Sequence, residues 1–137
     1  MQHDPAKVAE CRGWLDRAWA DLDSAEILLG SARPRQDTAV YHCQQAAEKA
    51  WKAFLFWHEV PFRKTHNLHE LGQAAWAVDG SLALLAERAE ELTPFAWLFR
   101  YPGDIEPLAQ EEADAALALA REVYVAVLAR LPEEARP

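Results

Sequence analysis

Two long runs of apolar residues at helical spacing constrain the fold of this chain more than any other feature. Because an α-helix completes a turn in about 3.6 residues, apolar residues that recur every three or four positions predict one buried helical face. One run lies near the N-terminus and one near the C-terminus: Leu15, Ala18, Leu22, Ala25 and Leu29, and Ala113, Leu117, Ala120, Tyr124, Val127 and Leu131. Alanine and leucine dominate the chain and β-branched residues are few, which also favours helix over strand.

Capping residues divide the chain into four or five helices. Asp, Asn and Ser side chains accept hydrogen bonds from the first N–H groups of a helix and so mark where helices begin. The first predicted helix is 5–30, capped by Asp4, and the second is 38–58, capped by Asp37. The third begins after Asn67, where Glu70 completes a capping box. The fourth begins at Ser81 and breaks or turns at Thr93-Pro94, and the last is 109–131. Long helices joined by short connectors predict an all-α, up-and-down bundle. We expect residues 1–137 to form one domain, with the bundle at about 5–131 and a polar tail at 132–137.

The composition indicates where in the cell the protein acts. The N-terminal segment has no apolar core typical of a signal peptide, and no stretch approaches the roughly 20 apolar residues that a membrane span needs. We therefore expect a cytoplasmic protein that makes no contact with a membrane. The two cysteines, Cys11 and Cys43, are far apart in sequence and are expected to be buried thiols.

The segment from His42 to His69, here called the 42–69 window, differs from the rest of the chain in charge. The chain has a formal net charge of −8, yet this window holds four lysines and arginines against two glutamates. It also holds four of the five histidines. A cationic window in an acidic protein suits a local anionic ligand, such as a phosphate or a short nucleic-acid segment.

Polar residues of the second predicted helix repeat at helical spacing on the side opposite its apolar face. They are His42, Gln45, Lys49 and Lys52. An imidazole, an amide and two ammonium groups can each bind phosphate oxygens or the edge of a base, so we interpret this stripe as ligand-binding. The alternative is that the stripe is an ordinary solvated helix face.

A second cationic group directly precedes the third predicted helix. Arg63, Lys64 and His66 lie where unpaired N–H groups and the helix dipole attract anions. The alternative is that these residues and Asn67 only cap the helix. His66 and His69 also form an HxxH pair, but no cysteine or carboxylate has matching ligand spacing, so no metal site and no cofactor are predicted.

The chain contains three ordered sequence blocks, which are YHCQQAAEKAWKA at 41–53, RKTHNL at 63–68 and RYP at 100–102. Together these blocks resemble the HEPN domain family, named for higher eukaryotes and prokaryotes nucleotide-binding. The resemblance implies a helical bundle that forms a homodimer, binds a nucleotide or RNA, and pairs with a minimal nucleotidyltransferase in a two-component toxin–antitoxin or stress module. It also makes Arg100 and Tyr101 ligand candidates, although both could instead close the end of the bundle by packing.

Other members of this family resemble metal-independent endoribonucleases with an Arg-x4–6-His motif. The spacing occurs twice, at Arg35 and His42 and at Arg63 and His69. The catalytic candidates of that alternative are His42, His66, His69 and Arg63. Neither arginine is followed by the small polar residue that the motif prefers, so we expect a member without this activity. A further alternative is a non-catalytic helical adaptor that binds another protein.

Overall fold

Helices account for all the regular secondary structure of the computed structural model, which describes residues 2–103 and 106–137. About 74% of the described residues are helical and none forms a strand. The α-helices are α1 (Pro5–Gly30), α2 (Gln36–Trp57), α3 (Leu68–Val78), α4 (Ala83–Ala89) and α5 (Gln110–Ala129). Short 3₁₀ segments are Gly80–Leu82, Glu90–Ala96 and Glu133–Ala135. The predicted all-α bundle is confirmed.

The predicted caps of α1 and α3 are confirmed. The Asp4 carboxylate accepts a hydrogen bond from the Ala6 N–H, and Pro5 occupies the first helical position. The Asn67 side chain accepts hydrogen bonds from the N–H groups of His69 and Glu70. These two caps were predictable because each depends on residues only two or three positions apart.

Two other capping predictions are wrong. Asp37 lies inside the first turn of α2, which begins at Gln36, so Asp37 is not the N-cap. Glu70 does not complete a capping box, because its carboxylate accepts a hydrogen bond from Arg63. The Asn67 N–H that the box would have used donates to the Thr65 hydroxyl instead.

The α-helical part of the fourth segment ends before the break predicted at Thr93-Pro94, and the C-terminal tail differs from its prediction. The α-helical part of the fourth segment has only seven residues, and the chain continues as a 3₁₀ segment that contains Pro94. Proline has no N–H to donate, which favours such an irregular ending. The tail is not wholly polar, since Ala135 is buried and Glu133–Ala135 packs against α1. The sequence Arg100-Tyr101-Pro102-Gly103-Asp104 predicts a turn, and its last residue, 104, lies outside the described residues.

Helix α2 occupies the centre of the bundle. It packs against α1, α3, α5 and the Glu90–Ala96 segment. Fifteen of its 22 residues are buried, and they include Gln44, Gln45, Glu48 and Lys52. The alternative of an ordinary solvated helix face is therefore wrong for Gln45 and Lys52, because neighbouring elements also cover much of the polar side.

The two cysteines are unpaired and buried, as predicted. Burial raises the pKa of Cys11 to about 11 and that of Cys43 to about 12, because a thiolate loses its hydration inside the bundle. Among the described helices, none is both long enough and apolar enough to cross a membrane.

Candidate functional site

One carboxylate of α1 binds two members of the predicted ligand stripe. Asp21 is 8% exposed and accepts hydrogen bonds from His42 Nδ1 at 2.8 Å and from Lys49 Nζ at 2.6 Å. A carboxylate at Nδ1 orients the imidazole and leaves Nε2 for another partner. The His42 side chain is 26% exposed.

A second carboxylate, Glu48 of α2, binds Lys52 of the stripe and the connector before α3. Its Oε1 accepts from His66 Nδ1 at 2.8 Å, and its Oε2 accepts from Lys52 Nζ at 3.0 Å. The Gln44 amide donates both to Glu48 and to the His66 carbonyl oxygen. Gln45 donates to Gln44. This buried polar cluster fixes the connector that carries His66 against α2.

Two of the four lysines and arginines of the 42–69 window, and one of its histidines, are paired with carboxylates that lie outside the window. Lys49 binds Asp21, Arg63 binds Glu70 at 2.7 Å, and His69 binds Glu90. Lys64 is exposed, and within residues 2–103 and 106–137 it forms no ion pair. The charge count along the sequence therefore overstates how much cationic surface this window offers to a ligand.

The two Arg–His spacings fall in different surroundings. Arg35 precedes α2 and His42 lies seven residues later on the same helix, so their backbones are separated by about 10 Å along the axis. Arg63 and His69 each contact a glutamate, and no hydrogen bond joins the two in the described part of the chain.

Arg100 lies at a groove that α2 forms with the 95–100 segment, here called the Tyr41–Arg100 groove. Its volume is about 310 Å³, and it is lined by Asp37, Thr38, Tyr41, Phe95, Phe99 and Arg100. The guanidinium carbon of Arg100 is 6.0 Å from the centre of the Tyr41 ring. Tyr101 is 72% exposed and does not line the groove.

The aromatic rings of this groove are arranged in parallel and edge-on pairs. Phe95 and Phe99 are stacked, with ring centres 6.2 Å apart and an interplanar angle of 18°. The Tyr41 ring meets His42 edge-on at 5.6 Å, which joins the groove to the imidazole that Asp21 orients. A cation beside several π faces can bind a flat aromatic group that carries an anion.

Of the residues that line this groove, Arg100 was predicted from the sequence as a ligand residue, whereas Tyr41, Phe95 and Phe99 were not. Tyr41 belongs to the same sequence block as His42, and the two phenylalanines are four residues apart near Arg100. Those signals were available, yet periodicity alone could not show that α2 and the 95–100 segment face each other. No group of three or more histidine, cysteine or acidic side chains is placed to hold a metal ion in residues 2–103 and 106–137.

Comparison with known proteins identifies a family. The family model described as the HEPN domain matches residues 11–131, which is nearly the whole chain. The resemblance noted in the sequence is therefore confirmed. No curated protein and no solved structure matches the chain.

Proposed function

The chain belongs to the HEPN domain family, and on that premise we propose that it binds a nucleotide, free or within an RNA, in the Tyr41–Arg100 groove. The family is consistent with roles that involve nucleotides or RNA. The observation that carries the proposal is the position of the Arg100 guanidinium beside the Tyr41 ring at the groove.

The groove has the chemical parts that a nucleotide needs. Tyr41 and Phe99 offer ring faces to a base, and stacking is worth about 1–3 kcal/mol per base. Arg100 can pair with a phosphate through two parallel hydrogen bonds. Asp37 and Thr38 supply an acceptor and a hydroxyl for a base edge. A volume of about 310 Å³ lies at the lower end of the range for ligand pockets, so one nucleotide unit is the expected occupant.

Titration with a fluorescent ATP analogue and with a labelled single-stranded RNA tests this proposal. Arg100→Ala and Tyr41→Ala should each weaken binding at least fivefold, whereas Tyr41→Phe keeps the ring and should bind as the wild type does. The matched control is Arg17→Ala, which removes one charge from an exposed arginine of α1.

The proposal fails if neither probe binds at millimolar concentration. It also fails if Arg17→Ala weakens binding as much as Arg100→Ala, because only general electrostatic attraction would then remain. Circular dichroism of each variant separates loss of binding from loss of folding.

The proposal includes a homodimer that forms through the groove between α4 and α5. Leu85, Ala118 and Val125 line this groove, and the Val125 side chain is 61% exposed. An ion pair between Arg88 and Glu122 spans the same two helices. A patch that carries an apolar centre and both signs of charge can bind a copy of itself about a two-fold axis. Light scattering should give the mass of a dimer for the wild type and the mass of a monomer for Val125→Arg. A wild type that is monomeric at about 100 µM, a concentration at which a weak dimer still forms, would refute this part of the proposal.

The proposal further includes a minimal nucleotidyltransferase partner in a two-component toxin–antitoxin or stress module, and its support is membership of the family. Co-expression with a tagged minimal nucleotidyltransferase should yield a complex that survives gel filtration. Failure of the two proteins to elute together would remove this part and leave nucleotide binding untouched.

A second candidate function is a metal-independent endoribonuclease, and the Asp21–His42 pair favours it. A partly exposed imidazole that a carboxylate orients can act as a general base on a 2′-hydroxyl through Nε2, and Arg35 could stabilise charge on the phosphate. RNA cleavage in EDTA should then fall in His42→Ala more than in His66→Ala or His69→Ala. Equal rates in all four proteins reject the candidate.

A further inference from the structure

A second, larger groove lies at the opposite end of α2, between its C-terminal turn, the connector to α3 and the first turns of α1. It is here called the α1–α2 end groove, and its volume is about 810 Å³. Its apolar side is formed by Phe56, Val60, Pro61 and Phe62. Three of these pack against the core from partly buried positions, so the apolar side belongs to the folded bundle and needs no rearrangement to form.

The rim of this groove is acidic. Asp4, Glu10 and Glu59 lie along it, and Lys7 is the one cation that lines it among the described residues. The Lys7 ammonium lies 4.6 Å from the centre of the Trp57 ring and 3.9 Å from a Glu59 oxygen. Lys7 is therefore engaged by its own neighbours, and the rim remains net negative in a chain whose total charge is −8.

Glu59 has a backbone conformation that argues for a role outside the fold. Its φ angle is 57°, in the left-handed region, directly after the end of α2. The Val60 N–H donates to the Leu55 carbonyl oxygen, as in the helix ending that glycine favours. The Glu59 side chain is 82% exposed and its 3.9 Å ion pair with Lys7 is worth little. Glycine at position 59 would therefore stabilise the fold more than glutamate does, yet the chain has a carboxylate at the rim of the groove.

We propose that the α1–α2 end groove binds a short basic segment of a partner protein. One apolar side chain of that segment rests on Phe56, Val60 and Phe62, and lysine or arginine side chains next to it pair with Glu10 and Glu59. Charge complementarity selects this occupant, because an acidic rim around an apolar floor repels nucleic acid and acidic peptides. The groove shares no lining residue with the Tyr41–Arg100 groove, so this site is independent of the proposed nucleotide site.

Fluorescence anisotropy with three labelled hexapeptides tests the proposal on the full chain. The basic peptide has two central leucines flanked by four arginines; in the second peptide glutamates replace the arginines, and in the third serines replace the leucines. We expect the basic peptide to bind and the other two to bind at least tenfold more weakly. Glu10→Gln combined with Glu59→Gln should weaken binding about fourfold, since each of the two exposed ion pairs contributes a factor of about two.

The matched control, Glu87→Gln combined with Glu91→Gln, also removes two negative charges. Both of these glutamates are exposed and are distant in sequence from the groove. The control variant should bind the basic peptide as tightly as the wild type does. Three results would overturn the proposal: no binding of the basic peptide, equal binding of the serine peptide, or an equal loss in the control variant. Binding of the ATP analogue by the same samples shows separately whether the nucleotide site is intact.

Discussion

Removal of the Glu48 carboxylate is the perturbation that most strongly tests the buried polar cluster on α2. Glu48 and Lys52 form an ion pair at 3.0 Å, and their side chains are 5% and 9% exposed. Glu48→Ala would leave the Lys52 ammonium in the bundle without its counter-charge. It would also remove the acceptor that binds His66 Nδ1. The variant should therefore be less stable than the wild type.

The size of the loss follows from the burial. Removing one partner of a buried ion pair costs about 3–5 kcal/mol. The Lys52 ammonium also lies within 6 Å of the Trp14 and Phe62 ring centres, at 5.7 and 5.9 Å, and these π faces offset part of the loss. We expect a loss of about 3 kcal/mol, which for a chain of this length lowers the melting temperature by roughly 10 °C.

Thermal and urea unfolding followed by circular dichroism measure this loss. A double variant, Glu48→Leu with Lys52→Met, removes both charges and should recover most of the stability, because no uncompensated charge remains. Glu87→Gln changes an exposed glutamate and should leave the unfolding free energy within about 0.5 kcal/mol of the wild type. A loss below about 1 kcal/mol for Glu48→Ala, or no recovery in the double variant, would refute the reasoning.

Three further predictions concern backbone strain, thiol burial and acid sensitivity. Glu59→Gly should raise the unfolding free energy by about 1 kcal/mol in urea titrations, because glycine adopts the positive φ without the Cβ clash. A thiol reagent at pH 8 should label neither Cys11 nor Cys43 in the native protein but both in guanidinium, since burial raises their pKa to about 11 and 12. Hydrogen bonds from Ser81 and the Arg130 guanidinium lower the pKa of Asp79, so Asp79→Asn should reduce stability at pH 6.

The pH dependence of the last prediction has a definite sign. Because the folded-state pKa of Asp79 lies below its unfolded value, its stabilisation is present above the ordinary pKa of about 4 and is lost as the pH falls through the lowered value. The difference in unfolding free energy between the wild type and Asp79→Asn should therefore become smaller as the pH is lowered. A difference that stays constant from pH 6 to pH 2, roughly the span of this titration, would contradict the prediction. Rapid labelling of either cysteine in the native protein would contradict the prediction on thiol burial. A Glu59→Gly variant that is less stable than the wild type would contradict the prediction on backbone strain.

The sequence predicted the parts of the fold that depend on neighbouring residues. The caps at Asp4 and Asn67 and the long apolar faces of α1 and α5 follow from side chains within one or two helical turns. The sequence could not show what covers the polar side of α2. Asp21, which binds His42 and Lys49, lies 21 and 28 residues away in sequence. The position of a residue around the helix axis predicts the direction of its side chain, but it does not identify the residue that the side chain contacts.

The same limit applies to the candidate site. The 42–69 window drew attention by its positive charge, but the carboxylates that pair with Lys49 and Arg63 lie outside it. The Tyr41–Arg100 groove joins residues nearly 60 positions apart through packing of the Glu90–Ala96 segment on α2. Arg100 was named from the RYP block, whereas its contact with Tyr41 requires the tertiary structure.

Nuclear magnetic resonance during an ATP titration tests the location of the nucleotide site most directly. The backbone amide signals of residues 37–42 and 95–101 should shift most, and those of residues 63–69 should shift little. At the ATP concentration that half-saturates the wild type, Arg100→Ala should reduce these shifts to about a third or less, as a fivefold weaker affinity requires, while the rest of the spectrum stays unchanged. Larger shifts at 63–69, or no shift anywhere, would contradict nucleotide binding in the Tyr41–Arg100 groove.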